Sequence, residues 1–334
     1  MGKCYRLIFI LLSLCLFNTG LAHELISPGQ PKTAEAGAPY VPWLAGPLLA
    51  PYETAVSVGH FFIEPYFNLN MYTGVYDSKW DEVKTPTLFS FAPQLQTYIG
   101  LTKSIDINIS PQMIVNSFED QNYTSFADLP VAIDMQIIPV DITKWYPSLK
   151  VAILETFPTG NYRDLDPKKS GIDATGSGAY STNFNFVMYK VINVWAHHFM
   201  SMYLSWGYTI SSPIKVRGFN SYGGGYNTKG KIKIGDSWQG LFSFEFTLTQ
   251  RWVLALDTLY THTDRSKFSG YAGVGPDGKE ALNGEHSSER LAFAPAIEYN
   301  INAKYGFIGG CYFSALGRNT TVFRNASIAF AAYF

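Results

Sequence analysis

Three sets of residues in this 334-residue chain have types that invite a chemical role. The first is His197 and His198 beside Ser201 and Ser205. Nucleophilic catalysis needs serine and histidine within hydrogen-bond reach and a third group to orient the base. His197 and Ser201 share one phase of an extended segment but stand four residues apart, roughly 13 Å at about 3.3 Å per residue. A triad would therefore need a partner from a neighbouring strand, and no Gly-x-Ser-x-Gly turn accompanies these residues. His198 falls in the apolar phase, which suits the edge of a membrane. The second set is metal-type ligands: Cys311 stands alone in the body of the chain, and no compact histidine, cysteine and carboxylate cluster forms, so neither a metal nor another cofactor is expected. The third set recurs on the polar faces of apolar-polar alternations: His60, Glu64, Asp106, Asn108, Asp134, Gln136, Glu245, Asp257 and Glu298. Carboxylates outnumber bases there. Lining a lumen, they would disfavour anions and pass neutral or cationic solutes; hydrogen-bonded to one another, they would stabilise a narrow or plugged interior.

These side chains need elements to hold them, and the alternation supplies those. In 237–249, Trp238, Phe242, Phe244, Phe246 and Leu248 fall on one face while Gln239, Ser243, Glu245, Thr247 and Thr249 fall on the other. A period of two is the mark of a strand with one apolar and one polar face. Twelve such segments follow one another: 56–71, 88–100, 104–116, 126–140, 148–157, 179–191, 194–211, 237–249, 252–260, 291–301, 304–315 and 322–334. Pro65, Pro93 and Pro111 each remove a ladder donor, so a bulge, a bend or a water contact is expected at each. Between the segments, short turns alternate with longer connections at 72–87, 117–125, 158–178, 212–236, 261–290 and 316–321. A membrane barrel with short periplasmic turns and longer external loops predicts that alternation; a soluble sandwich does not. Tyr222-Gly223-Gly224-Gly225-Tyr226 is expected to be a flexible loop tip. Lys229, Lys231 and Lys233 are expected on an extension of strand eight above the membrane, meeting either water or anionic lipid sugars.

Residues 1–22 have the layout of a secretory signal peptide: Lys3 and Arg6, an apolar core from 7 to 17, then Gly20-Leu21-Ala22. Two of the three cysteines lie inside it, so disulfides cannot hold the remainder together. The formal charge is −1 and no basic run is long enough for nucleic acid. No later apolar run reaches the length of a helical span. The 22 tyrosines and 24 phenylalanines favour strands and, in a barrel, gather at the two membrane interfaces. Residues 23–52 are rich in proline and glycine and are expected either in the periplasm or inside the lumen, where Trp43, Leu44, Leu48 and Leu49 would form a plug.

The terminal Ala331-Ala332-Tyr333-Phe334 resembles the last strand of bacterial outer-membrane barrels. The run Leu154-Glu155-Thr156-Phe157-Pro158-Thr159-Gly160-Asn161-Tyr162, with Gly176-Ser177-Gly178-Ala179-Tyr180 beyond it, resembles the MetA-pathway of phenol degradation proteins. That resemblance implies an outer-membrane transporter for aromatic or other apolar compounds. The expectation is thus an all-β, closed antiparallel transmembrane barrel over 53–334 with periplasmic termini, non-enzymatic, passing small apolar molecules by passive diffusion. The alternative is a closed barrel acting through its external loops in adhesion. Expected partners are outer-membrane lipid and lipopolysaccharide, a small-molecule solute and the outer-membrane assembly machinery.

Overall fold

The computed structural model describes residues 42–50 and 54–334. The signal-peptide segment and most of the proline-rich stretch lie outside the described residues. Twelve antiparallel strands follow in chain order: Phe61–Tyr76, Glu82–Gly100, Ile105–Ile109 continued by Met113–Phe118, Gln121–Phe126 continued by Leu129–Ile138, Ser148–Phe157, Ser181–Trp195, His198–Ser211, Ser237–Thr247, Trp252–Thr263, Ser288–Asn300, Tyr305–Arg318 and Thr320–Tyr333. Each pairs with its neighbours in sequence, and the first pairs with the last from Phe62↔Tyr333 to Tyr76↔Thr320. The sheet is closed, so every strand in the ring has two neighbours and none presents an open edge to hydrocarbon.

Alternation sets which residues face out. Phe67, Leu69, Phe89, Phe91, Ile133, Phe184, Phe186, Leu204, Phe242, Leu254, Ile297, Phe307 and Ile328 are exposed, whereas Glu64, Asp106, Ser201, Ser243, Glu245, Asp257 and Glu298 are buried on the opposite face. So continuous an apolar belt would be an aggregation surface in water and is the expected surface in lipid. Aromatic rings bound it at both ends. Trp195, His198 and Phe246 cluster at one end, and Trp206, Tyr208, Trp238, Tyr260 and His262 at the other. From His198 to Tyr208 is roughly 33 Å along a strand at about 3.3 Å per residue. A tilt of roughly 40° brings this to about 25 Å, the height of an outer-membrane apolar band.

The turns differ from expectation. On the end away from the termini, the first two strands are joined by 77–81, the third and fourth by 119–120, and the last two by Asn319 alone, while 139–147 on the terminal end is longer than all three. The strands run past the apolar belt on polar residues such as Glu82–Thr85 and Gln121–Ser125, which no hydrophobic period marks. Left-handed Glu119 (φ 51) and Asn319 (φ 51) then reverse the chain tightly. Only 158–180, 212–236 and 264–287 remain long, and they fold together as a cap. Of the three prolines, Pro111 does interrupt its strand, with Leu95 N donating to the Pro111 carbonyl at 3.0 Å across the break. Pro65 and Pro93 instead sit in unbroken register, opposite Leu95 and Phe67.

The cap has its own sheet. Ile214–Arg217, Lys229–Lys233 and Lys267–Tyr271 pair in that order. They continue the seventh, eighth and ninth barrel strands beyond breaks at 212–213, 234–236 and 264–266. Ile214, Val216, Ile232 and Ile234 pack on Ala179 and Tyr222, with Tyr162 and Phe268 alongside. The glycine run is therefore no free tip. Tyr222 is buried and donates through its hydroxyl to the Ser177 carbonyl (2.9 Å). Gly224 N reaches the Leu282 carbonyl (2.8 Å), at a φ of 79 that a side chain would resist.

Candidate functional site: a threaded lumen beneath an apolar pocket

Residues 42–50 lie within the barrel. Leu44, Leu48 and Ala50 are buried in one apolar cluster with Tyr66, Tyr72, Tyr189, Tyr203 and Leu241, while Trp43 and Leu49 are half-buried. Pro42, Gly46 and Pro47 keep this stretch out of regular structure, which leaves its amides unpaired by any ladder. Buried amides need acceptors, and the inward carboxylates provide them. Ala45 N donates to Glu298 Oε2 (2.7 Å) and Leu49 N to Asp257 Oδ2 (3.0 Å). Glu245 takes the Gly46 amide together with the hydroxyls of Ser201 and Tyr203. Farther along, Ala55 N donates to Gln136 Oε1 (3.1 Å) and Val56 N to Asp106 Oδ2 (2.6 Å). The eighth to tenth strands thus grip the segment at one point, and the third and fourth at another across the ring. Where the chain enters, Ser57 passes so close over Gly100 that a Cβ there would sit 2.0 Å from the Ser57 carbonyl oxygen, which only glycine allows.

The nine polar residues singled out from the sequence therefore separate. Asp106, Gln136, Glu245, Asp257 and Glu298 hold the backbone of the amino segment. Asp134 faces Lys150 at 3.7 Å, both buried. Asn108 accepts from Ser110 Oγ at 2.7 Å, and Glu64 is fully buried next to Tyr66 in the first strand. His60 does not line the lumen. It precedes the first strand, is exposed, stacks on Tyr333 and lies 2.9 Å from the Phe334 carbonyl. Its phase was right, but the strand begins one residue too late to turn it inward.

The hydrolase-like set is scattered. Ser201 donates to Glu245 and Ser205 to Asn185 Oδ1 (2.9 Å), whereas His197 lies in an exposed turn and His198 sits in the aromatic girdle, 2.8 Å from the Thr247 carbonyl. Cys311 is exposed.

Above the threaded lumen, at the cap end, is a pocket of about 1050 Å³ that is partly open to the outside. Tyr76, Phe219, Tyr222, Phe268, Pro276 and Leu282 supply its apolar walls, with Asp77, Arg265, Lys267, Glu285 and His286 among its polar groups. The cap loops are tied together around it: Ser266 N to the Glu285 carbonyl (3.0 Å) and Gly284 N to the Tyr222 carbonyl (2.9 Å). Sequence reading missed this pocket because its apolar residues are single ones in polar loops with no period. Their signal is only that Phe219, Phe268 and Leu282 stand where turn residues are the rule.

Tyr76 also touches the barrel wall. The ladder between the last two strands runs from Tyr305↔Ala332 to Phe313↔Arg324 and ends there. Beyond it, Leu316–Arg318 pair with the tenth strand and Thr320–Val322 with the first. Just past the ladder's end the Ser314 hydroxyl bridges the two strands by accepting from Phe323 N (3.0 Å), and there the Tyr76 ring packs against Gly317 and its hydroxyl donates to the Ser314 carbonyl (3.3 Å).

No family model matches the chain, and no curated protein does either. Among solved structures it is similar to an outer membrane channel from Pseudomonas putida F1, with a TM-score of 0.64 and 14% identity over 84% of this chain and 98% of that one. The fold is that of an outer-membrane β-barrel. More distant are the β domain of the Bordetella autotransporter BrkA (TM-score 0.45, 7% identity, 83% of this chain and 100% of that one) and the transport unit of the Escherichia coli autotransporter AIDA-I (0.43, 10%, 83% and 91%). The closed ring and its apolar belt place the chain in the outer membrane, with both ends of the strand ring on the side of the periplasmic turns.

Proposed function

We propose that the protein passes small, rather apolar molecules across the outer membrane without chemical change. The observation that carries this reading is the apolar pocket of about 1050 Å³ facing outward above a lumen occupied by the amino segment. Pockets of this size and lining suit small ligands. A water-filled pore would have no use for such a pocket. The route suggested by the geometry leads from the pocket past Tyr76 toward the wall between the last two strands, where the backbone ladder ends at Phe313↔Arg324 and the Ser314 hydroxyl takes over the bridging to Phe323. The resemblance to phenol-degradation transporters points to the same solute class, aromatic compounds included.

The test is uptake of an apolar fluorophore such as N-phenylnaphthylamine by cells whose outer membrane carries the protein, against the variant Phe268→Asp/Leu282→Asp. Entry is expected to fall at least fivefold in the variant while barrel assembly, read from heat-modifiable gel migration, is unchanged. Equal uptake by variant, wild type and cells lacking the protein would overturn the reading. Specific attachment of the protein to a surface ligand through the cap would then favour the adhesive alternative.

A further inference from the structure

The cap sheet has two unlike faces. Its inner face carries Ile214, Val216, Ile232 and Phe268 and packs on the cap core. Its outer face carries Lys215, Arg217, Lys229, Lys231, Lys233 and Lys267, all exposed, with Lys267 also reaching the pocket, and none of the three strands contains an acid. Arg217 is engaged by Asp164 at 2.7 Å. Among the described residues, no carboxylate comes within ion-pair distance of the five lysines. Their register sharpens the point. Lys215 stands directly opposite Lys231, Arg217 opposite Lys229 and Lys233 opposite Lys267. Like charges directly opposite destabilise a strand pair, and three such pairs occur in one small sheet of a chain whose formal charge is −1.

Position supplies the second argument. The three strands prolong the barrel wall in the same order, and just below the breaks lie Trp206, Tyr208, Trp238, Tyr260 and His262, the aromatic girdle. Such girdles mark the membrane interface. The cationic face therefore rises immediately outside the outer leaflet, turned away from the cap core and toward the surrounding lipid. In that leaflet lipopolysaccharide presents a dense layer of phosphates, normally bridged by divalent cations. We propose that this sheet face binds the phosphate groups of lipopolysaccharide, its ammonium groups replacing the bridging ions and the phosphates relieving the repulsion between the paired lysines.

The test is titration of the purified full chain in detergent with a deep-rough lipopolysaccharide bearing both lipid A phosphates, and with the same lipid after phosphate removal. The variant Lys215→Gln/Lys229→Gln/Lys231→Gln/Lys233→Gln leaves the buried face untouched. The variant Lys79→Gln/Lys84→Gln alters charge elsewhere on the same rim. Binding of the phosphorylated lipid is expected to weaken at least tenfold in the quadruple variant and to fall steeply with salt, while the Lys79/Lys84 variant binds as wild type does. Dephosphorylated lipid should bind the wild type as weakly as phosphorylated lipid binds the quadruple variant. Binding within twofold of wild type by the quadruple variant, equal affinity for dephosphorylated lipid, or an equal loss in the Lys79/Lys84 variant would each overturn the proposal. The comparison of the two lipids uses wild-type protein alone and so decides the question even if the quadruple variant fails to fold.

Discussion

Removing the acceptors that hold the amino segment should open the lumen to ions, and the size of the effect follows from the bonds. Glu298 and Asp257 each accept a backbone amide of the segment, from Ala45 and Leu49 respectively. A hydrogen bond contributes about 0.5–1.5 kcal/mol net, whereas an amide left buried without an acceptor costs about 1–3 kcal/mol. Glu298→Leu/Asp257→Leu removes two of the three carboxylates that accept amides at this end of the segment, leaving Glu245 on the Gly46 amide. Two amides left without acceptors cost about 2–6 kcal/mol of docking free energy, which multiplies the undocked population by roughly thirtyfold to twenty-thousandfold. The far grip at Asp106 and Gln136 is intact, so the segment swings rather than leaves. Glu298→Gln keeps an oxygen acceptor and should move the population far less. The assay is planar-bilayer recording of the refolded protein, scoring the frequency of open events, with a form lacking residues 23–51 as the open reference. The double variant should approach that reference and wild type should remain mostly silent. If the truncated form conducts while the folded double variant is as quiet as wild type, the carboxylates do not hold the segment and the reasoning fails.

Tyr76→Ala should widen the way from the pocket to the wall at Gly317, raising fluorophore entry severalfold without creating ionic conductance; Tyr76→Phe, which keeps the ring, should resemble wild type. An unchanged rate for Tyr76→Ala would remove this residue from the route. At Asn319, the single residue that reverses the last hairpin at φ 51, substitution by valine should destabilise the folded barrel by about 1–2 kcal/mol. Glycine there relieves the backbone term but loses the Asn319 Nδ2 bond to the Ser287 carbonyl (2.9 Å), so it should cost about 0.5–1.5 kcal/mol, and urea unfolding in detergent measures both.

The barrel itself was legible because lipid on one side and a polar interior on the other force a period of two, as in Phe242, Phe244 and Phe246 against Ser243, Glu245 and Thr247. Strand ends were legible only where the apolar residues continued: Glu82–Thr85 and Gln121–Ser125 carry no such signal, and three connections expected to be long are short turns. The inward carboxylates could be placed by phase, but their partners could not. Those partners are backbone amides of a segment that is remote in sequence, as with Ala45 and Glu298, 253 residues apart. An amide has no identity to read. The cap pocket was invisible for a different reason, since Phe219, Phe268 and Leu282 converge only through loop folding. Lys229, Lys231 and Lys233 lie on a separate strand that prolongs strand eight beyond a break at 234–236, and the cations opposite them come from segments that no period of two marks as strands.

The two grips on the amino segment also impose an order in time. The segment is synthesised before any of its acceptors exist, and its seat is shared between the third and fourth strands and the eighth to tenth. Those two stretches of wall face one another only once the first strand has met the last. A half-built or misregistered barrel offers the segment one grip and no opposite one. Docking is therefore a report of completed closure, and a segment still open to protease would mark the molecules that had failed to close.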